Sequence, residues 1–300
     1  MHMISASTDF DESLLETYTD EDIVHHIHQS PTLTTTRKES IRLLSHNLVS
    51  KLVPWPQEHR DEVAAMEMAR SVGVIVPAVR RIIQLPSEDY VIVMERVHGQ
   101  TLEQLWPQLG LWATIRVGWQ LRSYISSLRT ITVQTSGGLK SGKTRSEWIQ
   151  GMYGPTLHAS PYVFCDYLNW WLVKARPSNC EPLPRLLLSP PREHVLVHQD
   201  LAPRNMILDS KSRLWVVDWD RSGFYPPFME YLGMEGPERA MPWLAARNLT
   251  AWWGRVRWSL FCLIACGYSS LHRTGRDALV IVRQRSLRYK LEKPVHSARY

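Results

Sequence analysis

Cysteine is scarce in this sequence: four in 300 residues, Cys165, Cys180, Cys262 and Cys266, with no C-x-x-C pair among them. That gives no support to a disulfide or metal framework, and a reducing, cytoplasmic setting is the expectation. Cys262 and Cys266 stand one helical turn apart, as core residues do. Long apolar runs are also missing. The longest, WSLFCLIACGY at 258–268, falls well short of the roughly 20 residues that span a bilayer, so it predicts a buried helix and no membrane span. The first residues carry no basic stretch followed by an apolar one, which argues against a secretory signal. Internal repeats and low-complexity tracts are absent. Residues 1–36 contain no Lys or Arg at all.

What is present suits a globular protein. Hydrophobic residues make up 44% and charged residues 21%, with 13 Trp to fill large packed surfaces. Such a length allows one large domain or two lobes. The net charge of +6 is uneven. Acids (Asp9, Asp11, Glu12, Glu16, Asp20, Glu21, Asp22) crowd the first residues, and basic residues crowd the stretch after Arg273. Those basic residues interleave with Leu279, Ile281, Val282, Leu287 and Leu291 at helical spacing. Attraction between the two ends is therefore favoured over a nucleic-acid patch, and no nucleic-acid partner is expected.

Periodicity sets out the elements. A short helix is predicted over 12–28; its His25, His26 and His28 lack a Cys or carboxylate at ligand spacing, which disfavours a metal site. Strands are predicted at 41–44 and 47–53, a helix at 59–72, and strands at 79–85 and 90–97. Past Gly99 the character changes: Thr101 caps a short helix, 111–131 is a long amphipathic helix, and the rest is largely helical except for a β-rich island at 193–218.

That island reads EHVLVHQDLAPRNMILDSKSRLWVVDWDRSGFYP. Strands MILD (206–209) and LWVVDW (214–219) form a hairpin around Ser210-Lys211-Ser212. The hairpin brings Asn205 and Asp218 to one edge, with Asp200 on the adjoining loop. Phosphoryl transfer needs a carboxylate to accept a hydroxyl proton and oxygen ligands for Mg²⁺. The spacing H-x-D-x-x-x-x-N, followed by a strand-borne Asp, offers both.

HQDLAPRN with VVDWDRSGFYP resembles the aminoglycoside phosphotransferase family of the protein-kinase-like superfamily, related to the choline kinases, and most of all its fungal members of unassigned substrate. The likeness covers residues 40–235 well and 235–300 weakly. It implies an α+β, bilobal protein-kinase-like fold: a small β-rich N-lobe with one helix (40–98), a larger mostly helical C-lobe (99–300), and an acidic helical extension ahead of them (1–39). It implies ATP and Mg²⁺, with Asp200 as catalytic base, Asn205 and Asp218 as Mg²⁺ ligands, and His198 bracing the catalytic loop. Gln199 stands where many members have Gly, and Asp220 is assigned to the surface. Lys51, on a strand between Val49 and Val53, and Glu62, opening the next helix, fill the places of the phosphate-binding Lys and its partner Glu. Met94, Glu95 and Val97 match the hinge that holds the adenine edge through backbone groups. The G-x-G-x-x-G loop that covers the phosphates in protein kinases is missing before Lys51; the turn there is only Leu44-Ser45-His46-Asn47.

Residues 137–144, GGLKSGKT, satisfy G-x-x-x-x-G-K-[ST], the phosphate loop of P-loop NTPases. No parallel-sheet pattern surrounds the match, which predicts a flexible loop instead. The short, proline-bearing segment Gly223–Tyr231 after Asp218 argues for a small-molecule hydroxylated acceptor, with Glu230 as a packing or ion-pair residue. Trp170, Trp171, Trp243, Trp252 and Trp253 wall an apolar acceptor pocket or fill the core. The alternative function is a kinase-like protein that binds nucleotide or a partner with little or no catalysis. The oligomeric state stays open.

Overall fold

The computed structural model describes residues 10–35, 40–54, 58–146, 149, 155–173, 188–234 and 241–267. The basic stretch after Arg273 and Cys180 lie outside these residues.

A capping box starts the first helix, α1 (Asp20–Gln29): the Thr19 hydroxyl accepts from the Asp22 N–H, and the Asp22 carboxylate accepts from the Thr19 N–H. The single helix expected over 12–28 is therefore split. A 3-10 turn, Glu12–Leu14, comes first, and the cap at Thr19 starts α1 afresh. Strands β1 (Thr32–Thr35), β2 (Ser40–Leu43), β3 (Leu48–Val53), β4 (Val79–Gln84) and β5 (Tyr90–Glu95) form one antiparallel sheet in the order β1-β2-β3-β5-β4. β1 lies inside the stretch set apart in the sequence as an extension. Helix α2 (Glu58–Ser71) follows β3.

Both faces of this sheet are covered. Val49, Val53, Val79, Ile92 and Met94 turn to the side of α2 and join the main core. Leu48, Leu52, Ile83, Val91 and Val93 turn the other way, onto Phe10, Leu15, Ile23 and Ile27. The N-terminal segment is thus a layer of the fold. Arg81 donates to the carbonyls of Leu15 and Tyr18 and pairs with Asp20, while Arg42 donates to the carbonyls of Ile27, His28 and Ser30 at the end of α1. A cation there also complements the helix dipole. Of the three histidines, His26 packs its ring against Phe10 and Tyr18, and His25 contacts Gln29.

Beyond the first sheet come β6 (Gly99–Thr101), α3 (Leu102–Leu105), α4 (Leu111–Leu128), β7 (Thr132–Val133), α5 (Pro161–Val173), β8 (His194–Val197), β9 (Met206–Asp209), β10 (Leu214–Val216), β11 (Gly223–Tyr225), α6 (Phe228–Leu232) and α7 (Leu249–Cys266). Two small antiparallel sheets, β10-β9-β6 and β11-β8-β7, lie among the helices. Helices α4 and α7 pack closely where Gly118 meets Phe261 and Ile264. The expected buried helix at 258–268 is the second half of α7, with Trp258, Phe261, Cys262, Ala265 and Cys266 inward. Trp171 is core, whereas Trp252 and Trp253 are exposed. No helix among the described residues is long and apolar enough to cross a membrane. The architecture is α+β, with a β-rich N-terminal part and a helical C-terminal part.

Candidate active site

Lys51 joins the two parts of the molecule. It sits in mid-strand on β3, 3% exposed. Its Nζ donates to Glu62 Oε1 at 2.8 Å, one turn into α2, and to Asp218 Oδ1 at 2.7 Å. Burial pushes the Glu62 carboxyl above its ordinary range, against the pull of Lys51. Burial pushes Asp218 the same way, but there the Lys51 charge and hydrogen bond prevail and the net shift is downward.

Asp218 follows the hairpin of β9 and β10. That hairpin pairs Met206 with Val216, and the Val217 N–H donates to the Asn205 carbonyl at 3.0 Å. Asn205 and Asp218 therefore flank the open end of one hairpin, as the sequence led us to expect. The strand is shorter than the LWVVDW of the sequence because Asp218 takes φ +66°. This left-handed conformation ends the extended run, and Asp tolerates it better than most residues.

The Asp200 loop is tied to the hairpin in two ways. Asn205 Nδ2 donates to the Asp200 carbonyl at 2.9 Å. His198 Nδ1 accepts from the Asp200 N–H at 3.2 Å, which leaves Nε2 as the protonated nitrogen that donates to the Val217 carbonyl at 3.1 Å. His198 is wholly buried, and burial lowers its pKa to about 4, so the ring is neutral. It lies against Trp219, ring centroids 4.6 Å apart. Asp200 itself is buried, and its Oδ2 is held by Arg204 at 2.6 Å, with Arg221 Nη1 at 3.8 Å.

The contacts of several residues at this site were not legible in the sequence. Glu230 on α6 accepts the His198 N–H at 2.8 Å and the Gln199 N–H at 3.1 Å, so it holds the Asp200 loop by its backbone. Burial raises its pKa to about 7 despite those bonds. Gln199 takes φ +66°, where glycine would be at ease. Its Nε2 donates to the carbonyls of Arg145 and Arg221, which offsets the strain. Asp220 is half-buried, not on the surface as expected, and its carbonyl accepts from Arg145. Arg204 and Arg221 beside Asp200 carried no signal beyond nearness in sequence.

The hinge segment is more restricted than expected. Met94 pairs with Val49 and Val79 in mid-sheet. The Glu95 N–H donates to the Ala78 carbonyl and the Arg96 N–H to the Asn47 carbonyl. The Glu95 carboxylate accepts the Ala78 N–H. Of the donors at 95–97, those of Glu95 and Arg96 are thus engaged within the protein.

GGLKSGKT is not the flexible loop expected. Gly137 exchanges both backbone hydrogen bonds with Phe224, and Gly142 donates to the Gly138 carbonyl at 2.8 Å. No helix begins at Thr144, and every strand pairing among the described residues is antiparallel. The surroundings of a working P-loop are therefore not met. The loop closes instead around Asp61 of α2.

Residues 170–234 match the phosphotransferase enzyme family. That span contains Asp200, Asn205, Asp218 and Glu230. No curated protein matches the chain. Among solved structures, the aminoglycoside phosphotransferase APH(3'')-Id from Streptomyces rimosus aligns with a TM-score of 0.52 at 14% identity, over 87% of this chain and 92% of its own. APH(2'')-IIa, solved as a ternary complex with streptomycin and ATP, aligns with a TM-score of 0.48 at 13% identity, over 94% and 95%. The likeness to the first of these shows a protein-kinase-like fold.

Proposed function

We propose that this protein moves the terminal phosphoryl group of ATP to a hydroxyl of a small-molecule acceptor. The observation that carries the proposal is Lys51, whose ammonium ties Glu62 on α2 to Asp218 beside the Asp200 loop. A buried Lys between two carboxylates from distant parts of the chain suits the binding of a polyanion where those parts meet. The match of residues 170–234 to a phosphotransferase family adds to this.

Each residue takes a distinct role. Lys51, oriented by Glu62, holds the phosphates. The backbone around Met94, Glu95 and Val97 holds the adenine edge. With the N–H groups of Glu95 and Arg96 engaged elsewhere, Val97 is the donor and the carbonyls are the acceptors. Asp218 and Asn205 suit Mg²⁺: one gives a carboxylate, and the other has its amide N–H on the Asp200 carbonyl, leaving Oδ1 for a cation. Bound there, the ion neutralises charge on the phosphates. Asp200 accepts the proton of the acceptor hydroxyl as its oxygen attacks phosphorus and the bond to ADP breaks. His198, neutral, keeps Asp200 in register through its backbone.

The acceptor must approach Asp200 past Arg204, 44% exposed, and Arg221, 31% exposed. Two guanidinium groups repel an ammonium at that point, which disfavours a polycationic acceptor. The test is magnesium-dependent ADP release across a panel of neutral, anionic and cationic hydroxylated metabolites. Turnover with a neutral or anionic acceptor, abolished by Asp200→Ala, supports the proposal. Nucleotide binding with no turnover across the panel supports the kinase-like binding protein instead.

A further inference from the structure

We propose that Asp61 is a positioning residue for the Lys51–Glu62 pair, and that the GGLKSGKT loop is the clamp that holds it. Asp61 precedes Glu62 on α2 and is 1% exposed. Its Oδ1 accepts the backbone N–H of Lys140 at 2.6 Å and of Ser141 at 2.9 Å. Its Oδ2 accepts the Ser141 hydroxyl at 2.6 Å and pairs with the Arg145 guanidinium. One carboxylate from the first half of the fold is thus enclosed by four donors from a loop some eighty residues later.

The loop is shaped for this occupant. Gly137 and Gly142 adopt φ +103° and +63°. A Cβ on Gly138 would stand 2.3 Å from Asp61 Oδ2, so only glycine lets the carboxylate in. Successive backbone N–H groups in such a turn form an anion-binding concavity. That shared physics explains the match to a phosphate-loop pattern: the loop does cradle an anion, and the anion is Asp61. The side chain of Lys143, which a P-loop would aim at phosphate, is exposed.

The clamp also reaches the catalytic loop. Arg145, which pairs with Asp61, donates from Nη1 to the Asp220 carbonyl at 3.3 Å, and its own carbonyl accepts from Gln199 Nε2 at 2.9 Å. Its N–H donates to the Tyr225 hydroxyl at 3.0 Å. One residue thereby links α2, the Asp200 loop and the segment after Asp218. Fixing Asp61 fixes the turn of α2 from which Glu62 meets Lys51. The functional consequence rests on the nucleotide role given to Lys51 above; the clamp itself does not.

Two readouts on Asp61→Asn, Gly138→Ala and Lys143→Gln test this. One is acylation of Lys51 by N-hydroxysuccinimide acetate, followed by peptide mass spectrometry well below the unfolding midpoint. The other is calorimetric titration with Mg·ATP. Gly138→Ala leaves α2 unaltered and displaces only the carboxylate. Loss of hydrogen bonds to a buried charge predicts about tenfold faster Lys51 acylation and about tenfold weaker Mg·ATP binding in the first two variants. Lys143→Gln should match wild type in both. Unchanged Lys51 acylation in folded Asp61→Asn and Gly138→Ala overturns the clamp, and so does a tenfold loss of affinity in Lys143→Gln. If wild type fails to bind Mg·ATP, the proposed function falls and the acylation result still decides the clamp. If neither variant folds, hydrogen exchange in wild type decides. Joint protection of the Lys140 and Ser141 amides with α2 supports the clamp, and independent exchange contradicts it.

Discussion

Lys51 Nζ and Asp218 Oδ1 stand 2.7 Å apart although 167 residues separate them. Removing the ammonium leaves a buried Glu62 and a partly buried Asp218 as like charges. Lys51→Met should cost about 3–5 kcal/mol at pH 7, read by urea unfolding. The loss should shrink toward about pH 5, because a carboxyl raised by burial destabilises only while ionised. Burial already raises Glu62 in wild type and acts on Asp218 the same way. A pH-independent loss would mean that the two carboxylates do not feel each other.

Glu230 gives a second pH signature. Its pKa in the fold is about 7, above an unfolded value of about 4.3. A raised carboxyl favours the fold below its unfolded pKa and loses that contribution as pH rises through its folded one. The stability of wild type relative to Glu230→Gln should therefore fall between about pH 4.5 and 7, by on the order of 3 kcal/mol. His198, lowered to about 4 by burial, slopes the opposite way but is present in both proteins and cancels. Parallel curves for the two proteins would contradict this placement of Glu230.

Gln199 separates backbone strain from hydrogen bonding. Gln199→Ala removes two donations and keeps φ +66°, so about 2 kcal/mol of stability should be lost. Gln199→Gly removes the same bonds and relieves roughly 1 kcal/mol of left-handed strain. Glycine should therefore be the milder change in thermal unfolding. If alanine is tolerated as well as glycine, the strain assigned to Gln199 is wrong.

Asp200→Asn keeps the shape of the loop and removes the proposed proton acceptor. Transfer should fall by about 10²–10⁴-fold, measured as ADP release with an active acceptor, while Mg·ATP affinity stays within about twofold. Equal losses in rate and affinity would point to a binding role for Asp200.

The placement of the candidate residues was legible in the sequence where it is local. Asp200, Asn205 and Asp218 lie within one loop and one hairpin, so spacing alone placed them. Lys51 and Glu62 were singled out through the family resemblance, and strand alternation put Lys51 on the face of Val49 and Val53. What stayed hidden is what the fold brings from afar. YVIVME is apolar on both faces, a sign that both are covered, but nothing local named Phe10 and Ile27 as the cover. The GGLKSGKT loop matched a phosphate pattern because any anion suits it, and its real occupant, Asp61, sits in a helix that meets the loop only in three dimensions. Gln199 looked like a departure from glycine until its φ and its two hydrogen bonds were seen.

The central claim is that Asp218 and Asn205 hold magnesium against a nucleotide that Lys51 binds. Calorimetric titration with ATP, with and without Mg²⁺, in wild type and Asp218→Asn tests it most directly. The account predicts that Mg²⁺ strengthens ATP binding in wild type by tenfold or more, a difference of about 1.4 kcal/mol, and that Asp218→Asn loses this enhancement. An equal magnesium enhancement in both proteins, or none in wild type, would contradict it.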